Sequence, residues 1–110
     1  MSEVTELENQ KDQYKELIAI RDAIKRLESN PDFKKIIIDQ YCVKECARYI
    51  GVAGDPAISK EDRDLALEMG KAGQHLKRWL NVSIRMGDHA ENELPELENA
   101  ITEAQSQSGE

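Results

Sequence analysis

Apolar and small residues recur at alternating steps of four and three along the second half of the chain, and this feature constrains the fold most. Its first positions are Leu65, Met69, Ala72, Leu76, Trp79, Ser83, Met86 and Ala90. This is the a/d spacing of a heptad repeat, and it continues through Leu94, Leu97 and Ile101. An unbroken helix over this heptad stripe would be roughly 55 Å long at ~1.5 Å per residue, whereas a compact domain of this size has a radius of gyration of only ~13 Å. The sequence therefore predicts an elongated protein or a helix that folds back at a break.

Capping and breaking signals divide the chain into predicted helices at about residues 2–28, 31–50, 60–87 and 93–104. Asn30 and Pro31 mark the start of the second helix, because Asn caps a helix well and Pro fits its first turn. Ser59 is predicted to cap the third helix, and Gly51 to end the second in a left-handed conformation. The isoleucine run at 36–38 favours a strand on propensity alone. The helical spacing on both sides favours a helix instead, which we expect at the centre of the core.

Two signals predict a kink or a break between Gly87 and Pro95. Proline inside a helix costs ~3 kcal/mol and removes a backbone hydrogen bond, and the heptad spacing slips at Ala90, where two steps of four follow each other. Gly70 and Gly73 leave open whether the third helix is loosened or closely approached by another helix. The predicted fold is all-α, an elongated single-domain bundle of three to four helices over residues 1–104. Its long C-terminal helical arm is broken or kinked near residues 87–95, and a disordered polar tail follows at 105–110.

The net charge of −7 lies entirely at the C-terminal end of the chain. Residues 1–87 carry fifteen acidic and fifteen basic side chains, whereas residues 88–110 carry seven acidic and no basic ones. Such an acidic segment either forms a solvated helix end or docks on a basic surface. We expect it to make no direct contact with nucleic acid, because phosphate contacts need Lys or Arg. Its candidate residues are Asp88, Glu91, Glu93, Glu96 and Glu98.

Cys42 and Cys46 lie one helical turn apart and are the only cysteines. With His75 and His89 they would supply four metal ligands, but the histidines are fourteen residues apart and flank a predicted break. Two buried thiols that pack as small hydrophobes are the preferred interpretation. The chain also has no phosphate-binding loop and no nucleophile beside a base and an oxyanion hole. The sequence therefore predicts a protein that is not an enzyme, with no catalytic residue, cofactor or metal.

The segment LESNPDFKKIIIDQY, followed by LKRWLNVSIRMGDHAENEL, resembles small acidic helical proteins of tailed bacteriophages that are often encoded near head and portal genes. The resemblance covers residues 27–94, implies a virion or assembly role and assigns no functional residue. We therefore expect a phage structural or assembly protein that binds protein subunits, as a homo-oligomer or a particle component, by helix packing. The expected interface residues are Leu65, Met69, Ala72, Leu76, Trp79, Met86, Ala90, Leu94, Leu97 and Ile101.

Two other functions stay open at this point. A phage inhibitor of a host enzyme would use the acidic segment to occupy a basic cleft. A small-molecule-binding helical oligomer would gather Lys77, Arg78 and Arg85 at a subunit interface. The chain has neither a secretory signal nor an apolar run that would span a membrane. Together with two cysteines, this predicts the virion or the reducing host cytoplasm as its location.

Overall fold

The chain folds into three helices in the computed structural model, which describes residues 2–108. Helix α1 spans Glu3–Glu28, helix α2 covers residues 31–53, and helix α3 spans Lys60–Ser108. No strand occurs in this described range. The prediction of an all-α fold with a long C-terminal helix is confirmed.

Helix α2 changes its winding along its length. It begins as an α-helical turn at Pro31–Phe33, continues as a π-helix over Lys34–Glu45, and ends as an α-helix over Cys46–Ala53. The isoleucine run at 36–38 lies in the π-helical part. The expectation that α2 forms the centre of the core is wrong, because only Cys42 and Cys46 are buried in it, while Ile36 and Val43 are exposed.

The predicted caps are found at the starts of α2 and α3. The Asn30 Oδ1 accepts hydrogen bonds from the backbone N–H groups of Asp32 and Phe33, and the Ser59 Oγ accepts one from that of Asp62. The predicted left-handed end at Gly51 is wrong. The helix continues to Ala53, and Gly54 caps it with a right-handed φ of −92°.

Helix α3 runs without interruption through Gly87 and Pro95. The predicted break at 87–95, which would have given separate helices at 60–87 and 93–104, is therefore wrong, and the alternative of a kink within a continuous helix stays a prediction. Beyond Pro95 the helix buries Leu97 and Ile101, and burial is worth about 1.5–3 kcal/mol for each side chain. Together these burials contribute about 3–6 kcal/mol, which matches or exceeds the ~3 kcal/mol cost of the proline. The expected disordered tail is helical to Ser108, and its last two positions lie outside the described residues.

The described residues form two compact units. The first contains residues 2–25 and 82–108, and the second spans Arg26–Asn81. The expectation of one domain over residues 1–104 stays a prediction.

In the second unit, α2 packs closely on a face of α3 that consists mostly of very small residues. We name it the inner face, and its buried members are Ala66, Gly70, Gly73 and Leu80. A Cβ at Gly73 would lie 2.6 Å from the carbonyl oxygen of Cys42 and 2.8 Å from its Cα. Gly70 lies in the same way against Ile50 and the carbonyl oxygen of Cys46. The glycine pair therefore admits another helix closely, which resolves the alternative left open by the sequence.

In the first unit, α1 packs on α3 at Gly87. A Cβ at this position would overlap the side chain of Arg21 and lie 2.9 Å from the carbonyl oxygen of Leu17. The buried apolar residues of this unit are Val4, Ile24, Ala90, Leu97, Ile101 and Ala104.

Candidate functional site

An apolar stripe on α3 in the second unit faces solvent. We name it the exposed stripe, and it consists of Leu65, Met69, Ala72, Leu76 and Trp79. Its large members Leu65, Met69 and Trp79 are 60%, 41% and 57% exposed, and Ala72 and Leu76 are half-buried. All five side chains lie on one side of the helix, because their spacing of four and three residues returns to the same face.

The exposed stripe and the inner face are neighbouring faces of the same helix. Each inner-face residue follows a stripe residue by one position, as Ala66 follows Leu65 and Leu80 follows Trp79. One residue turns an α-helix by about 100°. Because α2 covers the inner face, the larger apolar side chains beside it are left uncovered.

A concavity of about 200 Å³ lies at the N-terminal end of the exposed stripe. Inside it, the Arg48 guanidinium lies over the Tyr49 ring, 4.7 Å from the ring centroid. Arg48 also binds Glu45, with 2.6 Å between its Nη2 and the Glu45 Oε1, and these contacts lower the pKa of Glu45. The lining thus combines the charged side chains of Arg48 and Asp62 with mostly apolar ones. The lining residues are Arg48, Tyr49, Val52, Asp62, Leu65, Ala66 and Met69.

Two exposed bases, Lys71 and Arg78, lie beside the exposed stripe, one heptad apart; we name them the basic flank. The Lys71 Nζ lies 3.2 Å from the Glu68 Oε1 in a solvent-exposed pair. Arg78 makes no hydrogen bond or ion pair within residues 2–108. No acidic residue occurs between positions 69 and 87. The surface around Trp79 is therefore apolar with a positive edge.

The other predicted interface residues lie in the first unit, and most of them are covered there. Ala90, Leu97 and Ile101 are buried within the chain, and Leu94 is half-buried. Met86 is 47% exposed and lines a concavity of about 350 Å³ with Leu17, Val82, Arg85 and His89. The interface role of the ten residues stays a prediction. The residues of the exposed stripe are the most suitable of them for binding a partner, because their side chains are the most accessible.

Arg21 is a buried cation that binds part of the acidic segment. Its side chain is 8% exposed; its Nη1 lies 3.0 Å from Asp88 Oδ1 and 2.9 Å from Glu91 Oε2. Its Nη2 lies 3.3 Å from Glu91 Oε1, so Glu91 is held by both nitrogens, and its Nε donates to Asp22. The hydrogen bonds from Arg21 lower the pKa of Glu91, and the same contacts raise that of Arg21.

The Arg21 cluster divides the predicted acidic segment into two parts. Asp88 and Glu91 are engaged by Arg21, whereas Glu96 and Glu98 are exposed and Glu93 is half-buried. Arg21 is not among the residues predicted from the sequence. Its position three residues after Ile18 and three before Ile24 was the available signal, because that spacing places the arginine on the packed side of α1.

Cys42 and Cys46 are free, buried thiols. Burial raises the pKa of Cys42, and the Cys46 Sγ lies 3.9 Å from the carbonyl oxygen of Met69. His75 and His89 are exposed. Within residues 2–108, no group of three or more His, Cys, Asp or Glu side chains is placed to hold a metal ion.

The three bases considered for a small-molecule site have different surroundings. In the second unit, Lys77 lines a concavity of about 410 Å³ together with Glu28 and Lys34. Arg78 is exposed beside Trp79, and Arg85 belongs to the concavity of the first unit. The use of these bases in a ligand site stays a prediction.

No protein-family model, curated protein or solved structure matches this chain. Among the described helices, none offers the long apolar stretch that crossing a bilayer requires.

Proposed function

We propose that this chain is a non-enzymatic subunit that binds another protein by packing a helix on the exposed stripe. The observation that carries the proposal is the exposure of Leu65, Met69 and Trp79 on one helical face. Contiguous apolar side chains at a surface mark interaction sites, whereas single ones are ordinary. The resemblance to tailed-phage proteins suggests what the partner is: a subunit of a phage particle or of its assembly machinery.

The energy available from the exposed stripe fits a modest protein–protein contact. Full burial of one large apolar side chain contributes about 1.5–3 kcal/mol, and a micromolar dissociation constant corresponds to ~8 kcal/mol. Three partly exposed anchors supply part of this amount. The rest must come from the concavity at Tyr49 and from polar contacts around the rim, because association also costs several kcal/mol.

Site-specific photo-crosslinking tests the proposal. A photoreactive phenylalanine analogue is placed at position 79 and, as the control, at the exposed position 26 on α1. Crosslinking is carried out in the producing cells and in purified particles, and the joined chains are identified by mass spectrometry. We expect one defined protein joined at position 79 and not at position 26.

The proposal fails if position 79 gives no crosslink beyond that of position 26 and light scattering finds a monomer in the same extracts. A second copy of this chain at position 79 would support a homo-oligomer. A particle protein would support a structural or assembly role.

A further inference from the structure

We propose that the exposed stripe receives an acidic amphipathic helix of a different protein, not the stripe of a second copy. This inference rests on the proposed function and adds the chemistry of the partner. The inference has two parts. The spacing of the apolar face indicates that the partner is a helix, and the charges beside that face indicate that the partner helix is acidic.

The shape of the stripe fits a helix as its partner. The segment from Leu65 to Trp79 covers about four helical turns. Its 3–4 spacing is the pattern in which the side chains of two facing helices pack as knobs into holes. The concavity at Tyr49 accepts one further side chain at the N-terminal end of this row. The partner helix must therefore carry apolar residues at the same spacing.

The charges beside Trp79 favour an acidic partner. Arg78 has no partner within residues 2–108, and position 71 supplies a second base on the same side. Lys71 is engaged only by Glu68, in an exposed pair of the kind that contributes little. At the other end, Asp62 borders the concavity and Arg48 is already paired with Glu45. The unpaired positive charge is therefore concentrated near Trp79, and acidic residues of a partner would meet it there.

The same charges disfavour antiparallel pairing of the stripe with its own copy. A two-fold antiparallel pair that lays Met69 of one copy over Trp79 of the other brings Lys71 beside Arg78 twice, because a two-fold axis repeats every contact. Like charges placed together at an interface act against that pairing. A partner whose flank carries Glu or Asp removes this repulsion.

Two synthetic helical peptides test the inference on the full-length protein. Both carry the same leucine and isoleucine face and lack tryptophan; one has glutamate at its flanking positions and the other lysine. Binding is followed through the fluorescence of Trp79, the only tryptophan of the chain. We expect a blue shift, with binding of the glutamate peptide at least tenfold tighter in low salt and this preference reduced severalfold in 0.5 M salt.

Charge variants provide the matched controls. R78E is expected to remove or reverse the preference for the glutamate peptide, and the milder R78Q to reduce it. R26E changes an exposed arginine on α1 and should leave the preference intact. Far-ultraviolet circular dichroism confirms that each variant is folded.

The inference is overturned if the two peptides bind equally well, or if neither of them binds. A blue shift of Trp79 that depends on the concentration of the protein alone also overturns it, because a second copy would then cover the stripe. If position 79 still gives a defined crosslink in these cases, the proposed function stands and only the acidic partner is lost.

Discussion

Gly73 of α3 lies directly against the backbone of Cys42 in α2. A methyl group at Gly73 would lie 2.6 Å from the carbonyl oxygen of Cys42, a distance at which backbone must move. The two helices can approach this closely only because position 73 carries no side chain.

The first prediction follows from this contact. Gly73→Ala should lower the free energy of unfolding by about 1–3 kcal/mol, because overpacking forces the helices apart. Gly51→Ala is the matched control. Gly51 is also helical, but a methyl group there would have no packing neighbour within 4 Å, so alanine there should raise stability by up to ~1 kcal/mol. Urea unfolding measures both, and a stability gain at position 73 would contradict the close contact.

Neighbouring positions on the inner face and the exposed stripe should respond differently to truncation. Leu80→Ala removes a buried side chain and should cost about 2–4 kcal/mol. Trp79→Ala removes a side chain that is 57% exposed and should cost less than about 1 kcal/mol. Thermal unfolding compares the two variants with the parent protein. A larger loss for Trp79→Ala would mean that the tryptophan stabilises the fold and is not free for a partner.

The Arg21 cluster predicts how stability depends on pH. Hydrogen bonds from Arg21 lower the pKa of Glu91 below its ordinary value of 4.5. A carboxylate with a lowered pKa in the folded state adds stability above its unfolded pKa, and that stability is lost as the pH falls through the folded pKa. Stability should therefore fall as the pH is lowered from about 4.5.

Glu91→Gln should be less stable than the parent protein at pH 7 and should lose less stability on acidification. Glu96→Gln changes an exposed carboxylate outside the Arg21 cluster and should follow the parent curve. Urea unfolding between pH 7 and pH 3 measures the three proteins. Parallel curves for Glu91→Gln and the parent protein would show that Glu91 contributes nothing through Arg21.

The two thiols should react slowly in the folded protein. Both are buried, and the raised pKa of Cys42 reduces the fraction of reactive thiolate at neutral pH. Labelling with an aromatic disulfide reagent at pH 7.5 should be at least tenfold slower than in denaturant. The variant Cys46→Ala isolates Cys42, and labelling of that variant at the denatured rate would show that the α2–α3 contact opens readily.

Local signals in the sequence predict the starts of the helices well, and tertiary contacts explain where they fail. The caps at Asn30 and Ser59 depend on residues within one turn, so their patterns are visible in the sequence. The continuation of α3 through Pro95 depends on the distant residues that cover Leu97 and Ile101. No rule that considers only neighbouring residues includes that contribution.

The face of α3 that packs against α2 could not be assigned from the sequence, and the reason differs from that for Pro95. Hydrophobic spacing weights large side chains, so it identified the row that contains Leu65 and Trp79. The row that α2 covers contains Gly70 and Gly73, which the sequence alone leaves open as helix-weakening residues or as the site of a close helix approach. The backbone of Cys42, which lies against Gly73, decides between the two.

The close contact at Gly73 also means that different requirements act on different positions of α3. Folding constrains position 73, whereas partner binding constrains the exposed stripe. In a saturation library, position 73 should tolerate almost nothing larger than hydrogen, whatever the cell requires of the protein. Positions 65 and 79 should accept many substitutions in a screen for folding and few in a screen for activity in the cell. Mutational tolerance measured under both screens would therefore map the binding surface even before a partner is isolated.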